Sequence, residues 1–393
     1  MKNMISRRIL LLLFIIVALV ASCHPNEDNT TERARKAKKA TGDIEIAIIW
    51  SPSVYKDMFM NGIHLAKEEI NRRGGVLGRK IRLIEYDELA SFTRAMDFAR
   101  DIAGNTDIVA VIGHQESLNA ISASTVYQYN GVLFISPRAT SAVLTEHGFD
   151  LVFRTMPATT EMGIQMCQLA YKKGFRRMVV VDDQGIYGKE LADAFYECAN
   201  DIGINIVSRR YYFPWEETYY PLLAEIRRQP FDAIFLAGGQ PYASIFIKQA
   251  RKMGVKAPFM AGHSLDSPRL WSIAGSASEG TIVPSVFDPF SSNPVNRRFV
   301  DNFHLRYGID PDTSAAQGYD ALSLLAYAFE ESKTTIPVAV ASTLRFVQNW
   351  NGVTGLYTFK VKGDLVDKKM FFKVMHNGTF EFLQEDVNIQ KAD

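Results

Sequence analysis

Two polar loops hold the residues best suited to chemistry, one around Ser117 and one around Thr140, within the stretch Gly113–Thr140. Each follows an apolar run that reads as a buried strand, Ile108–Ile112 and Gly131–Ile135, and a helix-like segment joins the two. Parallel strands joined by one helix require a right-handed crossover, so both loops emerge at the same carboxyl edge of one sheet. Open α/β sheets bind ligands at that edge. Free N–H groups at a helix N-terminus there suit a small anionic group. Catalysis finds less support. No G-x-G-x-x-G or G-x-x-x-x-G-K-[ST] run is present to cradle a nucleotide. Gly262-His263-Ser264 begins like a hydrolase elbow, but Asp266 stands where the strained turn needs its closing glycine. The seven histidines show no paired ligand spacing. The expectation is a binding protein that is not an enzyme, with no cofactor and no metal.

The elements that position these loops alternate. Ile44–Trp50 reads as a buried strand, followed by a helix with Phe59, Ile63, Ala66 and Ile70 on one face and a stop at Gly74-Gly75. Strand Lys80–Tyr86 and helix Ser91–Asn105 precede the Gly113–Thr140 stretch. The same grammar restarts after Phe153–Pro157, with strands at Arg177–Asp182, Asn205–Tyr212, Asp232–Ala237 and Pro258–Ala261 between helices. Helices are expected at Val295–Tyr307, Ala315–Glu331 and Val338–Trp350, then a hairpin of Leu356–Val361 with Met370–His376. Alternation of this kind predicts an α/β fold with two doubly wound, Rossmann-like lobes. A chain of 393 residues with 47% hydrophobic and 22% charged content is long enough for two such cores. With 44 Lys+Arg against 43 Asp+Glu there is no field to gather nucleic acid, which is excluded as a partner.

The amino terminus carries an address. Lys2, Arg7 and Arg8 precede the apolar run Ile9–Val20, which is short for a membrane span. It ends in Val20-Ala21-Ser22-Cys23, which resembles a bacterial lipoprotein signal with Cys23 as the lipidated first residue. Residues 1–22 are therefore expected to be a signal peptide. Residues 23–43, polar and without hydrophobic period, are expected to be a disordered tether. The chain would then be an exported lipoprotein, anchored in the membrane and facing the periplasm or cell exterior. Cys167 and Cys198 lie in helix-like segments without metal spacing. Two separate core thiols are the expectation; an oxidising compartment leaves a disulfide as the alternative.

An ordered set of motifs completes the sequence reading. Glu68–Glu88 (EEINRRGGVLGRKIRLIEYDE) is followed by VIGHQES, ISPRATSAVLT, FRTMP, DDQGIYG, KQARKMG, AGSASEG and GLYTFKVKGDL. Together they resemble the type I periplasmic solute-binding proteins, especially the branched-chain amino-acid binding group that serves ABC transporters. The resemblance implies a clamshell whose lobes are joined by three hinge crossings, with residues 44–157 plus 287–370 in the first lobe. Residues 158–286 plus 371–393 would form the second. It further implies a small-molecule ligand, an amino acid or organic carboxylate, handed to an ABC transporter permease. A receptor of the same fold that signals to a protein partner is the alternative.

The resemblance also implies site residues. Ser117 would hold the ligand carboxylate, Thr140 would contact the ligand's amino and carboxylate ends, Ala139 would contribute backbone groups, and Tyr187 would close over the ligand from the second lobe. Tyr55 would stack near a ligand cation. Arg138, Gln240 and His263 are departures from the family pattern. In the amino-acid binders an aromatic and an acid stand at the last two positions and hold the ammonium group. A histidine cannot supply that counter-charge. These departures shift the expected ligand toward a carboxylate without a conventional α-amino group, or equally indicate a different ligand orientation; an acid from a neighbour such as Asp266 would keep ordinary amino acids as ligands.

Overall fold

The computed structural model describes residues 28–383; the expected signal peptide, the expected lipidation site Cys23 and residues 384–393 lie outside that range. Five strands form the first sheet: β1 (Ile44–Trp50), β2 (Ile81–Asp87), β3 (Ile108–Gly113), β4 (Leu133–Ser136) and β5 (Val152–Arg154). All are parallel, in the order β2-β1-β3-β4-β5. The second sheet repeats that order with β6 (Arg177–Asp182), β7 (Asn205–Tyr211), β8 (Ala233–Ala237), β9 (Phe259–Ala261) and β10 (Ile282–Ser285). With β11 (Trp350–Gly352) paired to β12 (Gly355–Tyr357) apart, the chain returns as β13 (Phe371–His376) and β14 (Thr379–Phe382). These run antiparallel along the β10 edge.

Strand alternation builds both cores. Ile46, Ile48, Ile112 and Ile135 face helices Phe59–Arg72 and Thr313–Ser332, whereas Ala47, Ile49, Val111 and Phe134 face helices Phe92–Gly104 and Ser117–Tyr129. In the second lobe Val180, Phe235 and Met260 point to one face, and Val179, Val181, Ile234 and Leu236 to the other. Helices 59–72 and 313–332 cross backbone to backbone at Gly62, where any Cβ would lie 1.9 Å from the Ala315 carbonyl oxygen. The helices of 294–345 thus complete the first lobe, and the chain passes between lobes after β5, after β10 and before β13. Among the described residues no helix is long and apolar enough to cross a membrane.

Three expectations are corrected here. Much of the supposed tether is a helix, Asn29–Lys39, capped by the Asp28 carboxylate at Thr31 N (2.8 Å) and seated on the first lobe. Its anchor is Arg33, fully buried, which donates to the Ala103 carbonyl at 2.7 Å. The expected hairpin of 356–361 with 370–376 does not form. Leu356 turns back onto β11, and β13 finds β10 and β14 instead, because pairing there extends a large sheet. Cys167 and Cys198 form a disulfide, their Cα atoms 6.3 Å apart on neighbouring helices Thr159–Lys172 and Ile186–Ile202. The bridge closes a loop with sequence separation 31. Restricting the unfolded chain by a loop of that length is worth about 3–4 kcal/mol. Cys198→Ser should therefore lower stability in denaturant titration by roughly that amount, and reduced wild-type protein should match it.

Candidate functional site

In each sheet the strand order reverses beside the first strand, so the crevice opens at the carboxyl ends of β1 and β3, and of β6 and β8. The loops leaving these ends meet across one cavity. Its volume is about 570 Å³, part of it open to solvent. From the first lobe come Tyr55, Asp57, Gln115, Glu116, Ser117, Arg138, Thr140 and Ser314. From the second come Tyr187, Gly239, Gln240, His263, Ser264, Ser267 and Arg269.

The Ser117 loop is fastened from below. Gly113 packs where a Cβ would lie 2.1 Å from the Ile49 carbonyl oxygen, so only glycine lets the chain turn off the sheet there. Behind it Glu88, fully buried, pairs with His114 Nδ1 at 2.7 Å and accepts from Asn119 Nδ2 at 3.3 Å. His114 Nε2 in turn meets the Tyr127 hydroxyl at 2.9 Å. Ser117 opens helix Ser117–Tyr129, and Glu116 occupies the cap position without a side-chain capping bond. The first-turn N–H groups and the Ser117 hydroxyl therefore face the crevice.

The Thr140 loop hangs on Arg154. This buried guanidinium donates to the carbonyls of Thr140 (2.9 Å) and Ser141 and pairs with Asp364. Thr159 Oγ1 donates to Thr140 Oγ1 at 2.9 Å, leaving the Thr140 hydroxyl proton for a ligand. The Ala139 side chain belongs to the core beside Phe134 and Leu144 and is not part of the cavity lining. Trp50 is likewise buried, stacked on Phe59 with its Nε1 donating to Asp57 at 3.0 Å.

The second lobe closes the roof. Asp183 accepts from Gly239 N at 2.8 Å and from Gly185 N at 3.0 Å, which fixes both loops. Gln240 Oε1 accepts from Ser244 at 2.9 Å, so its Nε2 is left as a buried donor without a partner. Tyr187 and His263 meet edge to face at 5.1 Å, and the Tyr187 hydroxyl and His263 Nδ1 are also unpaired. Burial, reinforced by the positive charge of Arg138, holds the His263 pKa well below its ordinary value, so the ring is neutral. Ser264 Oγ donates to the Gly238 carbonyl at 2.6 Å. Among the described residues no cluster of His, Cys, Asp or Glu could hold a metal ion.

Charge is distributed unexpectedly. Arg138 donates to Ser314 at 3.2 Å within the cleft. Tyr55 donates its hydroxyl to Glu116, while the Arg269 guanidinium lies 5.6 Å from the Tyr55 ring centroid, joining the two lobes. Asp266 does not supply an acid to the cavity. It is buried against Lys373 Nζ (3.1 Å) and Thr313 Oγ1 (2.8 Å) near the hinge. The acids that reach the cavity, Asp57 and Glu116, come from the first lobe. Sequence reading missed them, together with Gln115, Ser267, Arg269 and Ser314. Gln115 and Glu116, inside the VIGHQES motif beside Ser117, were within reach of a motif.

A two-lobed molecule with a polar cavity where both sheets present their carboxyl edges is a ligand-binding clamshell. The chain belongs to the periplasmic binding protein family, whose profile matches residues 53–378. It is 30% identical over 323 residues to Leu/Ile/Val-binding protein homolog 1 of Brucella melitensis, covering 82% of this chain and 86% of that one. Among solved structures it resembles an ABC transporter substrate-binding protein from Desulfitobacterium hafniense in complex with Leu. That similarity has a TM-score of 0.80 and 35% identity, over 87% of this chain and 100% of the other. The branched-chain amino acid transporter substrate binding protein of Streptococcus pneumoniae, in complex with isoleucine, gives 0.80 and 25%, over 86% and 98%.

One consequence of the crowding is measurable. Asp312 caps helix Thr313–Ser332 and also accepts from Met58 N at 3.2 Å. Burial first, and then the nearby Asp57, raises its pKa to about 6 from 3.8. Between those values the folded state holds a proton that the unfolded chain has released, so this contribution to stability is present at low pH and is lost as pH rises. The stability of wild type minus that of Asp312→Asn should fall by about 2 kcal/mol between pH 4 and pH 7. A pH-independent difference would show that folding leaves the Asp312 pKa unchanged.

Proposed function

We propose that the protein captures a small amino acid or organic carboxylate between its lobes and delivers it to an ABC importer. The observation that carries this reading is the pairing of the Ser117 helix start with the Thr140 hydroxyl at one end of a cavity that both lobes enclose. A carboxylate there receives charge-assisted hydrogen bonds from hydroxyls and main-chain N–H groups. The ligand contacts both lobes only when they are closed, so binding favours the closed state by its differential affinity. The names of the relatives support a transporter partner and an amino-acid-like ligand. The chain acts as a carrier and performs no catalysis in this reading.

The location belongs to the same proposal. Cys23 after Val20-Ala21-Ser22 is the lipidation site, and the mature protein is tethered to a membrane on its periplasmic or outer side. Cys23→Ser should move the exported protein from the membrane to the soluble fraction. Retention in the membrane would remove the lipid anchor from the account. Within the site, Thr140→Ala should weaken binding of the cognate acid by about 1–3 kcal/mol, because a hydrogen bond to a charged group is lost. Isothermal titration calorimetry reads this directly, and Thr140→Ser should restore most of the loss. Unchanged affinity in the alanine variant would exclude Thr140 from the carboxylate subsite.

A further inference from the structure

Two of the similar proteins of known structure hold leucine or isoleucine, yet no lining residue of this cavity is aliphatic. An aliphatic side chain bound here would lie against guanidinium, amide and hydroxyl groups and would displace their water without replacing its hydrogen bonds. The second lobe is where this matters. Its Arg269 Nη1, Gln240 Nε2 and Tyr187 hydroxyl are all buried without partners. All three donate, and the amide of Gln240 is oriented by Ser244 so that only its donor end is spare. No carboxylate forms an ion pair with Arg269 among the described residues. Such a set calls for an acceptor with negative charge.

The first lobe already provides for one carboxylate at Ser117 and Thr140, with Arg138 beside them. Given that reading of the first lobe, on which this step rests, we infer that the ligand is a short dicarboxylic acid whose second carboxylate is received by Arg269, Gln240 and Tyr187. Closure then gains from pairing a charge on each lobe with a charge on the ligand, where an aliphatic ligand would leave the second-lobe donors dry and unpaired. Asp57 and Glu116 line the same cavity and can accept from an ammonium group. Plain dicarboxylates and acidic amino acids therefore share the required chemistry.

Titration calorimetry of the purified protein with leucine, succinate, 2-oxoglutarate, aspartate and glutamate tests this. At least one diacid should bind at least tenfold more tightly than leucine, and the comparison of the last two with the first two diacids tells whether an amino group is also read. Arg269→Gln should then reduce diacid affinity at least tenfold, with its ligand-free melting temperature reported to establish folding. Tighter binding of leucine than of every diacid would overturn the inference while leaving the carboxylate receptor of the previous section intact. So would diacid affinity that survives in a folded Arg269→Gln protein. Silence across the whole panel would overturn both readings together.

Discussion

The site depends on a buried guanidinium. Arg154 has lost its water, and burial lowers its pKa despite the compensating charge of Asp364. An ion removed from water must be paired and hydrogen-bonded or it destabilises the fold. Arg154 meets that demand by gathering the Thr140 and Ser141 carbonyls, the Thr145 hydroxyl and Asp364. The strand end β5, the loop that presents Thr140 and the segment that returns from the helical part of the first lobe are thereby held at one point. Thr140 faces the cavity because its backbone has been committed elsewhere.

The same economy of fastening recurs. Glu88 holds the Ser117 loop, Asp183 holds the Gly239 turn, and Asp320 accepts from Val353 N, Thr354 and the Tyr357 hydroxyl. Each buried acid occupies itself with nearby donors and leaves the cavity-facing groups free for something else. Polar contacts join the lobes. Glu190 accepts from Ala142 N at 2.7 Å, and Arg269 stands against Tyr55. Polar contacts suit a clamshell, since a large apolar interface would hold the lobes shut without a ligand.

Much of this was legible in the residues. Apolar runs ending at Gly113 and Ser136 gave the strand ends, and strand ends of a parallel sheet define where a ligand sits. Ser117, Arg138, Thr140, Tyr55, Tyr187, Gln240 and His263 all line the cavity, whereas Ala139 lies in the core behind it. What escaped was long-range or aperiodic. Ser314 reaches Arg138 across a sequence separation of 176, and Arg269 begins a short helix, Arg269–Ala274, too brief to show a period. Helix Asn29–Lys39 escaped for a different reason: its buried anchor is an arginine, so hydrophobic spacing carries no trace of it. The disulfide depends on how two helices pack, which spacing along the chain does not encode.

A crystal structure of the protein grown with its tightest-binding amino or dicarboxylic acid tests the central claim most directly. The account predicts a single ligand between the lobes, with a carboxylate in hydrogen-bond contact with Ser117 and Thr140 and its other end touching the second lobe. A ligand bound outside the cleft, or held by one lobe alone with the other swung away, would contradict it.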